Sequence, residues 1–308
     1  MALCGRNAIA QRKVWRVGVL ANEPWKPMDG LREGLRRHGY VEGQNLILDY
    51  RWFQGDGARL PKLAAELVEQ KVDVVVTVGT PAVLAAKKAS SSVPIVMGLI
   101  GDPIAAGVVQ SIARPGGNVT GVSVLAAELE PKRLETLKAL LPGLQRVAVL
   151  GNATNQYTGI AMKHAQAKAA ELGLQLQLHA VKGPGDLLAT LEALAAARPQ
   201  AVLVVADQFL LSQRANIAEF LSRMKLPSAH TYREHVEAGG LLSYSTNYFE
   251  SFHRAAGYVD RIFKGSAPGM LAIEQVDRFE LVINARTAGA LGITIPPALR
   301  VRADQVID

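Results

Sequence analysis

A single cysteine in 308 residues, Cys4, rules out a disulfide framework and a cysteine-built metal site, so the folded body behaves alike in oxidising and reducing surroundings. No apolar run approaches the ~18–20 residues that a bilayer-crossing helix needs. The lead, Met1–Lys13, also lacks the apolar stretch of a secretory signal, and no export signal is read there. Leu3 is large where a lipoprotein signal wants a small residue, so Cys4 is not expected to carry lipid. Catalytic patterns are missing as well: there is no glycine-rich phosphate loop ending in Lys-Ser/Thr and no Gly-x-Ser-x-Gly elbow. Gly183-Pro184-Gly185 opens a helix after a strand, but Leu188 stands where a dinucleotide fingerprint has its third glycine. The six histidines show no metal spacing, and His230 and His235, five apart, do not share a helical face. No catalytic residue, no metal ligand and no cofactor is therefore expected.

Hydrophobic residues make up 49% of the chain and charged ones 20%, enough to bury a substantial core and to exclude wholesale disorder. The length exceeds that of one ordinary domain and favours two lobes. The net charge of +7 comes from Lys and Arg scattered over helix faces, which reads as a solvated basic exterior and not as a nucleic-acid surface.

Short continuous apolar runs alternate with helix-periodic segments, the pattern of strands buried on both faces of a parallel sheet. Val14–Leu20, Leu46–Trp52, Asp73–Val78, Pro94–Gly98 and Val119–Val124 form one series. Arg146–Leu150, Leu174–Val181, Ala201–Val205, Leu226–His230 and Leu241–Tyr244 form a second. Leu60, Leu63, Ala64, Leu67 and Val68 mark the apolar face of one intervening helix, with Pro61 in its first turn. Two such series predict two doubly wound α/β lobes. Arg114–Asn118, rich in Pro and Gly, is either a surface turn or the approach to a crossing between lobes. The apolar face around Phe252, Ala256 and Val259 suits either lobe, and the extended stretch Ile273–Asn284 is a candidate return crossing.

Ligands of open parallel sheets sit beyond the carboxyl ends of the strands, so the loops that follow each run are the places to search. Gly79-Thr80-Pro81-Ala82 opens a helix after the third run; Thr80 is read as its N-cap, and its free N–H groups suit a carboxylate as well as water. Asp102 either meets a ligand ammonium or caps a turn. Asn22 and Trp25 follow the first run, where Trp25 forms an apolar wall or packs on its own lobe. In the second series Asn152, Thr154, Asn155 and Tyr157 follow the first run, Asp207 the third and Tyr232 the fourth. Each has an ordinary reading as turn or cap chemistry. Together they supply an anion-binding helix terminus, a carboxylate and aromatic flanks, which is what a small zwitterion requires.

Several segments resemble the substrate-binding proteins of ABC transporters, especially tryptophan/tyrosine-type receptors. They are Gly39-Tyr40-Val41-Glu42-Gly43-Gln44-Asn45, Gly101-Asp102-Pro103, Ala113 to Gly121, and Glu237-Ala238-Gly239-Gly240-Leu241-Leu242-Ser243-Tyr244. The tail adds Phe279-Glu280-Leu281-Val282-Ile283-Asn284, Leu291 to Pro297 and Arg302-Ala303-Asp304. The resemblance implies a type I periplasmic-binding-protein fold with three crossings, a small-molecule ligand, ligand-induced closure, docking on a membrane permease and a periplasmic location. It further implies that the loop at Thr80 and Ala82 takes the ligand carboxylate, with Asp102, Asn155, Asp207 and Tyr232 placed by loop position. Ser245-Thr246 departs from the Gly-Pro-like pair expected after Tyr244, and Met1–Lys13 from the export signal.

The resulting expectation is a monomeric, non-enzymatic receptor that binds an amino acid or an aromatic or branched acid and contacts no nucleic acid. Residues 1–13 form the lead, 14–122 plus 248–275 the first lobe, and 123–247 plus 276–308 the second. The ligand-binding residues expected are Thr80, Ala82, Asp102, Asn155, Asp207, Tyr232, Trp25, Asn22 and Thr154. The alternatives are a ligand-sensing regulator domain of the same fold, for which thirteen leading residues leave no room for a DNA-reading helix pair, and a nucleotide-dependent enzyme.

Overall fold

Every apolar run read from the sequence is a strand. The computed structural model describes residues 13–124, 126–276 and 278–308, without the side chains of 126–128. The expectations placed on Cys4 and on the lead before Lys13 lie outside the described residues.

The first series gives β1 (Trp15–Ala21), β2 (Leu46–Trp52), β3 (Val74–Val78), β4 (Ile95–Leu99) and β5 (Val119–Ser123). The second gives β6 (Arg146–Asn152), β7 (Gln175–Val181), β8 (Ala201–Val204), β9 (Ser228–His230) and β10 (Leu242–Thr246). Three further strands follow: β11 (Glu274–Gln275), β12 (Phe279–Asn284) and β13 (Gln305–Ile307). The helices are α1 (Asp29–Arg37), α2 (Leu60–Glu69), α3 (Thr80–Ala89), α4 (Ala126–Leu140), α5 (Gln156–Leu172) and α6 (Leu187–Ala196). After them come α7 (Gln208–Ser212), α8 (Arg214–Arg223), α9 (Arg233–Glu237), α10 (Tyr248–Phe263), α11 (Ala285–Ala290) and α12 (Pro297–Arg302).

The strands form two sheets, ordered β11-β5-β4-β3-β1-β2 and β13-β12-β10-β9-β8-β6-β7. In each, the first strand of its series has the second on one side and the third on the other, so strand order reverses there, the doubly wound arrangement. β3, β4, β5 and β8 are buried along their whole length, which explains the nearly unbroken apolar sequences of β3, β4 and β8, while β5 buries Thr120 and Ser123 among its valines.

The chain passes from one sheet to the other three times: after β5 into α4, after β10 into α10, and between β11 and β12. The Arg114–Asn118 segment belongs to the first lobe, where Gly116 N donates to Gly269 O at 3.1 Å and the Asn118 side chain is held by the carbonyls of Ser90 and Val93. The crossing comes after β5. Helix α10 buries Phe252, Ala255, Ala256 and Val259 against α1 and β4, which assigns its apolar face to the first lobe. The Ile273–Asn284 stretch is two strands in different sheets, β11 parallel to β5 and β12 antiparallel to β10. That antiparallel strand, and β13 beside it, depart from the purely parallel expectation. β13 carries only three residues, too few for a period to show.

Candidate ligand-binding site

The loops at the carboxyl ends of both sheets converge on one cavity of about 110 Å³. An engineered cavity of roughly 150 Å³ takes up benzene, so the guest here is a single small molecule, and one with an aromatic side chain requires the walls to move apart. From the first lobe come Phe53 and Leu60, Val78 to Pro81, and Leu99 to Gly101. The second lobe brings Asn152, Thr154, Asn155, Tyr157, Ala206 to Phe209, and Tyr232. Val124 and Tyr248, at two of the crossings, close the inner end.

Among the described residues Asp207 is the one carboxylate on this wall, and no Lys, Arg or His lines it. Its Oδ1 accepts the Leu210 N–H at 2.9 Å, capping α7, and its Oδ2 accepts Asn152 Nδ2 at 3.1 Å and Asn155 Nδ2 at 2.9 Å. Burial pushes this carboxyl up from its ordinary range, while the Asn155, Leu210 and Asn152 donors pull it back. Asn155 in turn caps α5 by accepting the Tyr157 N–H at 3.0 Å, and Thr154 Oγ1 donates to Asn152 Oδ1 at 2.8 Å. Four side chains read individually as turn or cap residues are thus one network around a buried charge.

Opposite them, α3 presents its N-terminus. Thr80 was expected to cap this helix; the cap is Gly79, at φ 87°, a left-handed backbone conformation that glycine adopts freely, and no side chain caps the helix. Thr80 is displaced to the first helical position and faces the cavity. Pro81 follows it, so the first turn keeps N–H groups without carbonyl partners inside the helix, at the positive end of its dipole.

The remaining wall is aromatic. Tyr232 accepts Gln208 Nε2 at 3.0 Å, Tyr157 donates to Glu130 Oε1 at 3.4 Å, and Tyr248 stands at the start of α10. Burial holds all three phenols well above their usual range, so each is neutral. Beneath Tyr157, Glu130 and Arg133 form a fully buried ion pair at 2.8 Å, and Arg133 Nε donates to the Tyr244 carbonyl at 2.9 Å.

Of the nine residues expected to meet a ligand, Thr80, Thr154, Asn155, Asp207 and Tyr232 line the cavity, and four do not. Ala82 is one position too far along α3 and is buried in the first lobe's core. Asp102 caps a turn, its Oδ1 accepting the N–H groups of Ile104 and Ala105 at 3.0 and 2.9 Å. Asn22 and Trp25 lie in the seam between lobes: Asn22 Nδ2 donates to the Gln208 carbonyl at 3.1 Å and Trp25 Nε1 to Glu234 Oε1 at 2.6 Å. The residues missed are Phe53, Phe209, Gln208 and Tyr248. Their position just beyond β2, β8 and β10 was the available signal.

His230 and His235 do meet, stacked at 4.6 Å between ring centroids, because one ends β9 and the other turns back on α9.

A family model for ABC transporter substrate binding proteins matches residues 23–307. A tyrosine-binding protein of Clostridioides difficile (strain R20291) is 26% identical over 274 residues, 86% of this chain and 76% of that protein. Among solved structures, a conserved domain protein from Vibrio cholerae superposes with a TM-score of 0.90 at 29% identity, covering 96% of this chain and all of the other. An ABC domain from Streptococcus pneumonia in complex with L-Trp gives 0.88 at 27% identity, again over 96% of this chain and all of the other.

Proposed function

The chain belongs to the family of ABC transporter substrate-binding proteins, and we propose that its cavity captures a neutral α-amino acid with an apolar or aromatic side chain. The observation that carries this reading is the opposition of Asp207 to the N-terminus of α3 across a cavity that, among the described residues, no cationic side chain lines. A carboxylate on one wall suits an ammonium, and the helix terminus on the other suits a carboxylate. The two groups of an α-amino acid carry those charges close together. Tyr157, Tyr232, Tyr248, Leu99, Ile100 and Val124 leave the side chain an apolar surround. A second carboxylate on the ligand would find no cation, which disfavours acidic amino acids. The tyrosine named for one relative and the L-Trp bound to another fall within the same class.

In this reading residues 14–122 plus 248–275 and residues 123–247 plus 276–308 turn as two bodies about the three crossings. A ligand that touches both walls selects the closed arrangement by its differential affinity. The closed receptor, a monomer in the periplasm, then docks on the permease of its transporter and releases the ligand unchanged.

Thermal melting of the purified chain with each of the twenty L-amino acids tests the proposal. At a hundred times Kd a bound ligand adds about 2.7 kcal/mol of stability. One or a few neutral members should raise Tm by several degrees. No shift with any of them, or a shift confined to acidic members, overturns it.

A further inference from the structure

The loop that follows β1 makes every side-chain hydrogen bond and ion pair that joins the two lobes away from the crossings, among the described residues. Asn22 Nδ2 donates to the Gln208 carbonyl at 3.1 Å, Glu23 Oε1 lies 3.9 Å from Arg214 Nη1, and Trp25 Nε1 donates to Glu234 Oε1 at 2.6 Å. These contacts differ in weight. Glu23 and Arg214 are both some two-fifths exposed, and a pair of that kind contributes little. Asn22 is buried and fixed from its own lobe, since its Oδ1 accepts the Gly55 N–H and its carbonyl the Gln54 N–H. Trp25 adds packing to its hydrogen bond. Its ring meets Tyr232 of the second lobe edge-on at 5.5 Å, and Tyr248 and Phe252 of α10 at 5.1 and 5.9 Å. Tyr232 and Tyr248 are themselves walls of the ligand cavity. Glu234 is the matching feature on the second lobe, a half-buried carboxylate on α9 with Oε1 on the indole and Oε2 without a partner. A partly desolvated charge with one donor gains from that donor, and opening the lobes would remove it.

We infer that the Asn22–Trp25 loop is an interlobe latch, with Trp25 and Glu234 as positioning residues that hold the lobes closed and keep Tyr232 and Tyr248 in register. Trp25 acts on the ligand through those two tyrosines and through closure. The inference rests on the capture reading of the cavity, but its test needs no ligand, so the two can fail separately.

Spin labels on Lys62→Cys and Lys182→Cys, in a Cys4→Ser background, place one probe on each lobe; Lys62 is in the first turn of α2, Lys182 just beyond β7, and both are exposed. Pulsed electron resonance on the ligand-free full chain then reads the distribution of distances between lobes. Trp25→Phe keeps an aromatic ring and removes the N–H; Glu234→Gln keeps the shape and removes the charge. With the latch intact, a short-distance population is expected, and either substitution should enlarge the long-distance population at least threefold with Tm within two or three degrees of the parent. A merely structural role would move Tm and leave the distances alone. Unchanged distributions in both variants overturn the latch, as does a parent chain that shows only the long distance.

Discussion

Asn155 Nδ2 donates to Asp207 Oδ2 at 2.9 Å, and this one bond ties the loop after β6 to the loop after β8 inside the cavity. It also fixes which lone pairs of Asp207 remain for a guest. Asp207→Asn removes the charge and can keep the helix cap through its single amide oxygen, but its Nδ2 then faces the Nδ2 donors of Asn152 and Asn155. The variant should lose about 1–3 kcal/mol of stability in urea unfolding and at least a hundredfold in affinity for whichever amino acid stabilises the parent, read by calorimetric titration. Retained affinity would mean that the ammonium is held elsewhere.

Gly101 of the first lobe lies against Tyr157 of the second, and a Cβ built there would come 2.4 Å from the Tyr157 ring. The clash exists only when the lobes are closed. Gly101→Ala is therefore expected to leave the ligand-free Tm nearly unchanged while weakening capture tenfold or more, mostly through faster dissociation in stopped-flow competition. A variant that loses stability without ligand and binds normally would place the closed contact elsewhere.

How much of this was legible without coordinates follows from what each residue depends on. The strands were visible because β3, β4 and β8 are buried on both faces and carry almost wholly apolar sequences, whereas β5, equally buried, mixes Thr120, Gly121 and Ser123 with its valines. Asp207, Asn155 and Thr154 were found because a parallel sheet sends its ligand contacts to the ends of its strands. The same rule misplaced Asn22 and Trp25, since a loop at the right end of a strand can reach the other lobe instead of the cavity, and nothing local to Asn22 or Trp25 distinguishes the two. Thr80 was misread as a cap because the preference for Thr at that position is local, whereas Gly79, one residue earlier, takes the cap at φ 87°. Tyr248 was missed because its side chain reaches the cavity only once the chain has crossed between lobes.

His230 and His235 set a lower pH limit on stability. Burial holds His235 down at about 4 and lowers His230 as well. The unfolded chain takes up these protons near pH 6.5, the folded chain only far below it. Stability is thus full above pH 6.5 and falls as the pH drops toward 4, by roughly 3 kcal/mol for His235 alone at the end of that window. Urea unfolding at pH 7.5 and pH 5.0 measures the slope, and His235→Phe should flatten it while keeping a ring to stack on His230. A slope unchanged in that variant assigns the acid sensitivity to other groups.

The ion pair of Glu130 and Arg133 makes the sharpest energetic prediction, because neither side chain has any exposed surface. Burial alone pushes the Glu130 carboxyl up, and Arg133 opposes that shift. Arg133→Met removes the counter-charge and leaves a buried carboxylate, which costs about 3–5 kcal/mol, whereas replacing both partners by apolar residues is often nearly neutral. The double variant Glu130→Met/Arg133→Met should therefore recover most of the loss in urea unfolding, giving a strongly non-additive cycle. Tyr157 then decides whether the pair also serves the cavity, since its hydroxyl donates to Glu130. If it does, the double variant regains stability but binds its amino acid more weakly than the parent. If stability and affinity return together, the pair supports the second lobe alone and Tyr157 holds its place by packing.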